Sequence, residues 1–184
     1  MSRNRPARLV AAATMVGLAA LTAGAANPVV RYRPLTPGQL DKVTAPVALY
    51  PDLLLAQVLP AAAHPLDVAL ADQWLRSRPT PTDAEIAAQP WDASVRSLVH
   101  YPPAFKLLAD NLDWARQLGL AYANQPTDVT RSIQRLRVKA RIVGTLNNTP
   151  EQTVVVENHY IEIQPAEPEV VYVPVYDPAT CFVH

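Results

Sequence analysis

Proline limits what this chain can fold into more than any other residue type does. The 184 residues include 19 Pro and only five Gly. Each proline fixes φ and lacks the amide hydrogen that the interior of a helix or sheet needs, so it suits the first turn of a helix and ends or kinks a helix elsewhere. The sequence therefore predicts a folded chain of short helices whose boundaries are set by proline.

Capping residues beside these prolines indicate where the helices begin. The segments starting at Thr36 and at Thr82 both have the spacing of a capping box, and Asp92 is a candidate cap. We expect Pro60 to interrupt the second helix. Pro65 begins a helix that carries Leu66, Leu70 and Trp74 on one face. The last helix shows the clearest period, through Val129, Ile133, Leu136, Ala140 and Val143, with Gly144 as its stop.

Beyond Thr149-Pro150 the sequence changes to short β-branched runs. Residues 153–156 and 160–163 predict two strands joined by a turn at Asn158, and residues 170–175 predict a third, with Pro174 favouring an edge position. Helices followed by a small antiparallel β unit indicate an α+β fold. We assign residues 26–35 to a flexible lead, 36–148 to a helical region, 149–178 to a β unit packed on it within one domain, and 179–184 to a tail.

The first 25 residues have the organisation of an export signal peptide. Three arginines precede an apolar stretch from Leu9 to Leu21, and Ala23-Gly24-Ala25 supplies small residues for cleavage. The stretch is shorter than the ~20 apolar residues of a membrane-spanning helix, although a retained anchor stays open as the alternative. We therefore expect a periplasmic or secreted protein.

Charge and cysteine content narrow the classes of partner. Residues 1–25 hold three of the 16 Lys and Arg and none of the 16 Asp and Glu, so the remaining chain has a net charge of −3. This balance argues against nucleic acid as a partner. Cys181 is the only cysteine, so no internal disulfide is expected. An intermolecular disulfide and a thiol without a role both stay open.

Four blocks of this sequence resemble one protein family. They are Ala45-Pro46-Val47-Ala48-Leu49-Tyr50-Pro51-Asp52 running into residues 53–59, Ala71-Asp72-Gln73-Trp74-Leu75, Trp91-Asp92-Ala93-Ser94-Val95-Arg96-Ser97-Leu98, and Val170-Val171-Tyr172-Val173-Pro174-Val175-Tyr176-Asp177-Pro178. Together they are similar to the bacterial exported family known as domain of unknown function 3300, over about residues 36–180. The resemblance implies no activity and supplies no catalytic residues.

Two surfaces are candidate binding sites. The last helix carries a basic face opposite its apolar stripe, which favours anionic envelope components such as lipid headgroups. Its residues are Arg131, Arg135, Arg137, Lys139 and Arg141. There are two alternatives to a binding role: this face is simply exposed to solvent, or the basic helix packs beside the acidic β unit of the same chain. The predicted third strand favours strand addition by a partner or an aromatic face for a ligand, through Val171, Tyr172, Val173, Val175 and Tyr176. An ordinary sheet covering the helices is the alternative there.

No motif for catalysis, a metal or a cofactor is recognisable. The four histidines have no ligand spacing with other His, Cys, Asp or Glu residues. The best set for a hydrolase is Asp52, Asp67 and Asp72, with Trp74, Trp91 and Trp114 as a sugar site, although tryptophan at helical spacing is usually part of the core.

We therefore predict a non-catalytic, envelope-associated interaction module without a cofactor. Its partner would be an envelope protein or an anionic envelope component, with peripheral membrane contact and oligomeric state left open. The alternative is an envelope hydrolase, or a glycan- or lipid-binding protein, acting on peptidoglycan or polysaccharide.

Overall fold

Short helices followed by a β-hairpin make up the described chain, residues 32–167 and 170–182 of a computed structural model. The elements are α1 (Pro37–Thr44), α2 (Asp52–Ala62), α3 (Pro65–Ser77), α4 (Asp83–Ala87), α5 (Ala93–Leu98), α6 (Pro102–Asp110), α7 (Leu112–Asn124), α8 (Pro126–Val143), β1 (Gln152–Glu157), β2 (Tyr160–Pro165) and α9 (Pro178–Cys181). Proline occupies the first or second position of α1, α3, α6, α8 and α9. The predicted α+β class is confirmed.

The predicted export signal, residues 1–25, lies outside the described residues. The end of the predicted lead is described, and it is attached to the helices. The Tyr32 hydroxyl and the Leu35 amide both donate to the side-chain oxygen of Gln125, at 2.6 and 2.8 Å. Residues 179–181, predicted as the start of the tail, belong to the short helix α9.

The predicted caps are confirmed. Thr36 and Thr82 each form a capping box with the residue three positions later, and the Asp92 carboxylate accepts from the Ser94 amide at 2.9 Å. Gly144 follows α8 with φ of 85°. A left-handed residue after a helix is strained for any residue with a Cβ, which explains the glycine.

One expectation about the helices is wrong, and α3, which begins at Pro65 as predicted, turns part of its apolar face outward. Pro60 does not interrupt α2, which continues to Ala62. Pro60 lies in the last turn, where one hydrogen bond is lost and the buried neighbours Leu59 and Ala61 hold the segment in the core. In α3, Leu66 and Leu70 are exposed, at 71% and 45% of their surface. The packing of α3 on α2, α6 and α7 buries Val68 and Ala71.

The hairpin attaches to the helices through β2. The strands β1 and β2 are antiparallel, with Val154 opposite Ile163 and Val156 opposite Ile161. The turn residues Asn158 and His159 both have positive φ, at 48° and 67°, as a two-residue turn of the I′ type requires. On its other side β2 contacts α2 and α8.

The buried apolar side chains form two clusters. The larger lies among α1 to α8, and the smaller is where the hairpin meets the helices, at Leu49, Ala140, Leu146, Ile161 and Ile163. Within the described residues, no single helix is long and apolar enough to span a membrane. Among the helices of this described part, α2 and α3 taken together meet that length and composition, but they are bent by 102°.

Candidate functional site

The helix α8 has one buried face and one outer face. Val129, Ile133, Leu136 and Ala140 are buried, as their spacing predicts. The side chains of Arg131, Arg135 and Lys139 are 69%, 39% and 52% exposed. The outer face therefore presents three cations along two turns of one helix, and it is the candidate site.

Two carboxylates compensate part of this charge. Arg131 pairs with Asp128 on its own helix at 3.1 Å. Arg135 and Lys139 share Asp41 of α1, with nitrogen–oxygen distances of 2.6 and 3.7 Å. Three cations therefore face two carboxylates, and one positive charge is left over among these groups.

Asp41 also connects the outer face to the interior. The buried Ser132 hydroxyl donates to the Asp41 carboxylate at 2.7 Å and lies 2.8 Å from the Thr44 hydroxyl. Burial of the Asp41 carboxyl acts to raise its pKa. The hydrogen bonds from Arg135 and Ser132 outweigh burial, so the pKa of Asp41 is lowered below its ordinary value.

A groove of about 640 Å³ runs along the outer face, between α8 and Tyr160 of β2. Val138 and Tyr160, exposed to 43% and 44%, form apolar parts of its lining. Arg131, Arg135 and Lys139 line it as well. Ile142, one turn beyond Val138, is 68% exposed. Cationic and apolar groups therefore occur together on one surface.

Arg137 does not belong to this surface, which corrects the prediction from the sequence. Its side chain has no exposed area and pairs with Asp52 at 2.9 Å. Its remaining donors bind main-chain carbonyl oxygens, at Ala48 (2.9 Å), Tyr50 (2.9 Å) and Ile161 (2.7 Å). Helical spacing places Arg137 at the edge of the basic face, but the adjacent hairpin and the Ala48–Tyr50 segment cover it. Arg141 is exposed on the last turn of α8.

The predicted third strand is absent, which is a second correction. Residues 171–177 adopt no regular secondary structure, and Val170 makes only an isolated bridge with Glu167. The outer edge of β2 is already occupied by side chains of α2 and α8, so this edge offers no position for a third strand. Val171, Val173 and Tyr176 pack against the main core, whereas Tyr172 and Val175 are 51% and 88% exposed.

Tyr176 anchors this segment to the helices. Its hydroxyl donates to the Ala45 carbonyl at 2.7 Å and accepts from the Leu49 amide at 3.2 Å. Its ring meets Tyr50 and Phe182 edge-on, with centroids 6.5 and 6.3 Å apart. Burial raises the pKa of the Tyr176 phenol. The predicted aromatic face is therefore turned into the core at this residue.

The acids considered for a hydrolase each have a separate partner. Asp52 pairs with Arg137 and accepts the Ile163 amide at 2.7 Å. Asp67 accepts the Asp92 amide at 2.8 Å, and Asp72 pairs with Arg76 at 2.6 Å. These contacts do not hold any two of the three acids together.

The tryptophans make core contacts. Trp74 and Trp91 pack edge to face with centroids 5.4 Å apart, and the Trp114 indole donates to the Val43 carbonyl at 2.9 Å. Within residues 32–167 and 170–182, no three His, Cys, Asp or Glu side chains are placed to hold a metal ion. The Cys181 thiol is half-buried.

Several residues of the site were not identified from the sequence. Asp41 lies in α1, far from α8 in the sequence. Val138 and Tyr160 are residue types that are common in any helix and any strand. Gln134, also at the groove, exchanges two hydrogen bonds with the Ile161 main chain, at 3.0 and 2.8 Å. The apolar positions Val138 and Ile142 are four residues apart and each is next to a basic residue, which is the sequence signal that indicates this mixed surface.

Comparison with known proteins gives a family without a described activity. The family model described as "Protein of unknown function (DUF3300)" matches residues 36–184. The uncharacterized protein YacH of Escherichia coli (strain K12) is 37% identical over 207 aligned residues, which cover 93% of this chain and 34% of that protein. The chain thus spans about a third of the length of this curated relative. No solved structure matches the chain.

Proposed function

We propose that this chain, which belongs to the family of proteins of unknown function DUF3300, is an exported, non-catalytic interaction module that binds an anionic amphiphile of the cell envelope. The binding site would be the outer face of α8. The observation that carries the proposal is the groove of about 640 Å³, where Arg131, Arg135 and Lys139 lie beside Val138 and Tyr160. An anionic amphiphile has the same two parts, a charged headgroup and an apolar tail.

The charges at the groove support anion binding. The Arg131–Asp128 pair is exposed on both sides, and such a pair contributes only about 0–1 kcal/mol. Arg131 can therefore exchange its carboxylate for a phosphate at little cost. Lys139 lies farther from Asp41 than Arg135 does, at 3.7 against 2.6 Å, so its ammonium is the less firmly held of the two.

The apolar groups at the groove support an amphiphile over a simple anion. Val138 and Tyr160, which line the groove, and Ile142, one turn beyond Val138, each expose between 43% and 68% of their surface. Burying apolar surface contributes about 25 cal/mol per Å², which a small inorganic anion cannot exploit. A basic helix face with apolar residues on it is typical of proteins that lie on anionic membrane surfaces.

Export rests on the sequence of residues 1–25. The basic start, the apolar stretch from Leu9 to Leu21 and the small residues at 23–25 form a complete signal pattern. The test is the N-terminus of the protein in fractionated cells. We expect a chain that begins after Ala25 in the exported fraction, and Val16→Glu should retain the uncut chain in the cytoplasm.

Lipid vesicles test the binding site. The chain from residue 26 onward would be mixed with vesicles of phosphatidylglycerol and phosphatidylcholine, and separately with pure phosphatidylcholine. We expect binding only to the anionic vesicles, weakened by salt. The double variant Arg131→Glu/Lys139→Glu should weaken it at least about tenfold, since each cation near an anionic surface contributes about 1 kcal/mol. Arg135 is left unchanged because it holds Asp41.

A matched control reverses the same number of charges elsewhere. Lys106 on α6 and Arg116 on α7 have exposed side chains, at 60% and 58%. Lys106→Glu/Arg116→Glu should bind anionic vesicles as the unchanged protein does. Equal losses in the two double variants would show that only net charge matters, and no loss in either would contradict the proposal.

The hydrolase alternative uses Asp52, Asp67 or Asp72, and of these Asp72 is the acid to test first. It lines a separate cavity of about 450 Å³ together with Asp83 and His100. Asp72→Asn would abolish hydrolysis of purified peptidoglycan if this alternative were correct. Peptidoglycan left intact by the unchanged protein would remove the alternative without affecting the vesicle result.

A further inference from the structure

The outer edge of β1 presents main-chain groups that can pair with another strand. In an antiparallel hairpin, successive residues direct their N–H and C=O groups alternately toward the partner strand and away from it. The Val154 amide donates outward, to the Asn148 side chain at 2.7 Å. Val154 and Val156 therefore both direct their main-chain groups away from β2.

Other stretches of the hairpin edges are already occupied. On β2, the Gln134 side chain pairs with Ile161 as a neighbouring strand would, and Asp52 accepts the Ile163 amide. At the start of β1, Thr149 exchanges hydrogen bonds with Gln152, at 2.9 and 3.3 Å. Among the described residues, the Val154 carbonyl and both main-chain groups of Val156 have no hydrogen-bond partner.

The charge around this edge indicates the kind of strand that fits. Glu151, Glu157, Glu162 and Glu167 lie in or beside the hairpin, and residues 142–184 contain no Lys or Arg. Glu157 and Glu162 are on one face of the sheet, because alternate residues share a face and Glu162 is opposite Val155. Val156 is on the other face, opposite the buried Ile161, and is 50% exposed.

We propose that the edge of β1 at Val154–Val156 binds an extended segment of a partner protein, in which basic and apolar residues alternate. The segment would add a third strand to the hairpin. Its apolar residue would lie beside Val156, and the basic residues on either side of it would face Glu157 and Glu162. Main-chain hydrogen bonds would supply general affinity, and the alternating side chains would supply specificity.

A labelled pentapeptide tests this proposal. The probe is acetyl-Lys-Val-Lys-Val-Lys-amide with a fluorophore on a flexible linker, and its binding to the chain from residue 26 onward is measured by fluorescence anisotropy. Val156→Pro removes the outward amide but leaves the hairpin ladder intact, since this amide does not pair with β2. We expect at least about tenfold weaker binding. Val156→Thr, which keeps the amide, should bind within about threefold of the unchanged protein.

Two altered peptides provide tests that do not depend on the folding of a variant. Methylating the two valine amides of the probe, and separately replacing its lysines by glutamate, should each weaken binding to the unchanged protein at least about tenfold. Equal binding of the methylated peptide, of the acidic peptide or by a folded Val156→Pro variant would overturn the proposal. Arg131→Glu/Lys139→Glu should bind the probe normally, so this edge can be judged separately from the groove on α8.

Discussion

Arg137 and Asp52 are 85 positions apart in the sequence and form an ion pair of 2.9 Å, in which the arginine side chain has no exposed surface. The pair connects three parts of the chain, because Asp52 begins α2, Arg137 lies in α8 and both bind the main chain of β2. Within the described residues, no buried side-chain nitrogen or oxygen lacks a hydrogen-bond partner. A fully hydrogen-bonded buried charge of this kind is costly to disturb.

Removing the buried arginine should strongly destabilise the fold. Arg137→Met leaves Asp52 without its counter-charge and removes the Arg137 donor from the Ala48 and Tyr50 carbonyls, so we expect a loss of about 3–5 kcal/mol in the free energy of unfolding. The measurement is urea denaturation followed by circular dichroism. Arg116→Met, which removes an exposed arginine 4.0 Å from Asp113, should change stability by less than about 0.5 kcal/mol. A loss below 1 kcal/mol at Arg137 would contradict the assigned role.

The Asp41 carboxylate should make stability depend on pH. Folding lowers the pKa of Asp41, so its contribution is complete above the unfolded pKa of about 3.9 and is lost as the pH falls through the folded pKa. Asp41→Asn should cost about 1–3 kcal/mol at pH 7, and its difference from the unchanged protein should shrink below about pH 4. Urea denaturation at several pH values measures this. Asp113→Asn, at a side chain that is 98% exposed, is the control, and a pH-independent difference for Asp41→Asn would contradict the prediction.

Two glycines in helices should respond in opposite directions to alanine. In α7, a Cβ on Gly119 would overlap the Ala62 carbonyl and Ala63, whereas a Cβ on Gly38 in α1 meets no atom within 4 Å. Gly119→Ala should destabilise the fold by about 1–3 kcal/mol through overpacking, despite the better helix propensity of alanine. Gly38→Ala should stabilise it by up to about 1 kcal/mol. The measurement is thermal unfolding of both variants. A rise in the melting temperature of both would show that the close approach of Gly119 to Ala62 and Ala63 does not limit stability.

Tyr176 should hold the 170–177 segment in place. Tyr176→Phe leaves the Ala45 carbonyl and the Leu49 amide without their partner, at a cost of about 1–3 kcal/mol. Limited proteolysis should then cut this segment faster than in the unchanged protein. Val175→Thr, at a neighbouring side chain that is 88% exposed, should leave the cleavage rate unchanged. Equal rates for Tyr176→Phe and the unchanged protein would mean that the hydroxyl does not anchor the segment.

The parts of the fold that local chemistry decides could be predicted from the sequence. Thr36, Thr82 and Gly144 act through their own neighbours, so capping rules place them correctly. The burial of Arg137 depends on Asp52 and β2, which are distant in the sequence, and arginine on a helix is normally exposed. The 170–175 run has strand-forming residues, but whether it pairs depends on an open edge, and Gln134 and Asp52 occupy the edge of β2.

The candidate site could be predicted only in part. The basic face was predicted at Arg131, Arg135 and Lys139, whereas its link to Asp41 requires knowing that α1 packs on α8.

The way β2 is attached also determines how the molecule comes apart. If the hairpin separated from the helices by itself, the Arg137 guanidinium would lose the Ile161 carbonyl, and Asp52 would lose the Ile163 amide. Separation of the hairpin would thus break the hydrogen bonds between hairpin and helices and expose the Arg137–Asp52 pair to water. It would also uncover Ile161 and Ile163, which are 3% and 0% exposed. The two-stranded unit is too small to be stable alone. We therefore expect hairpin and helices to unfold in a single cooperative transition, in which the slowest-exchanging amides of β2 and α8 share one opening free energy.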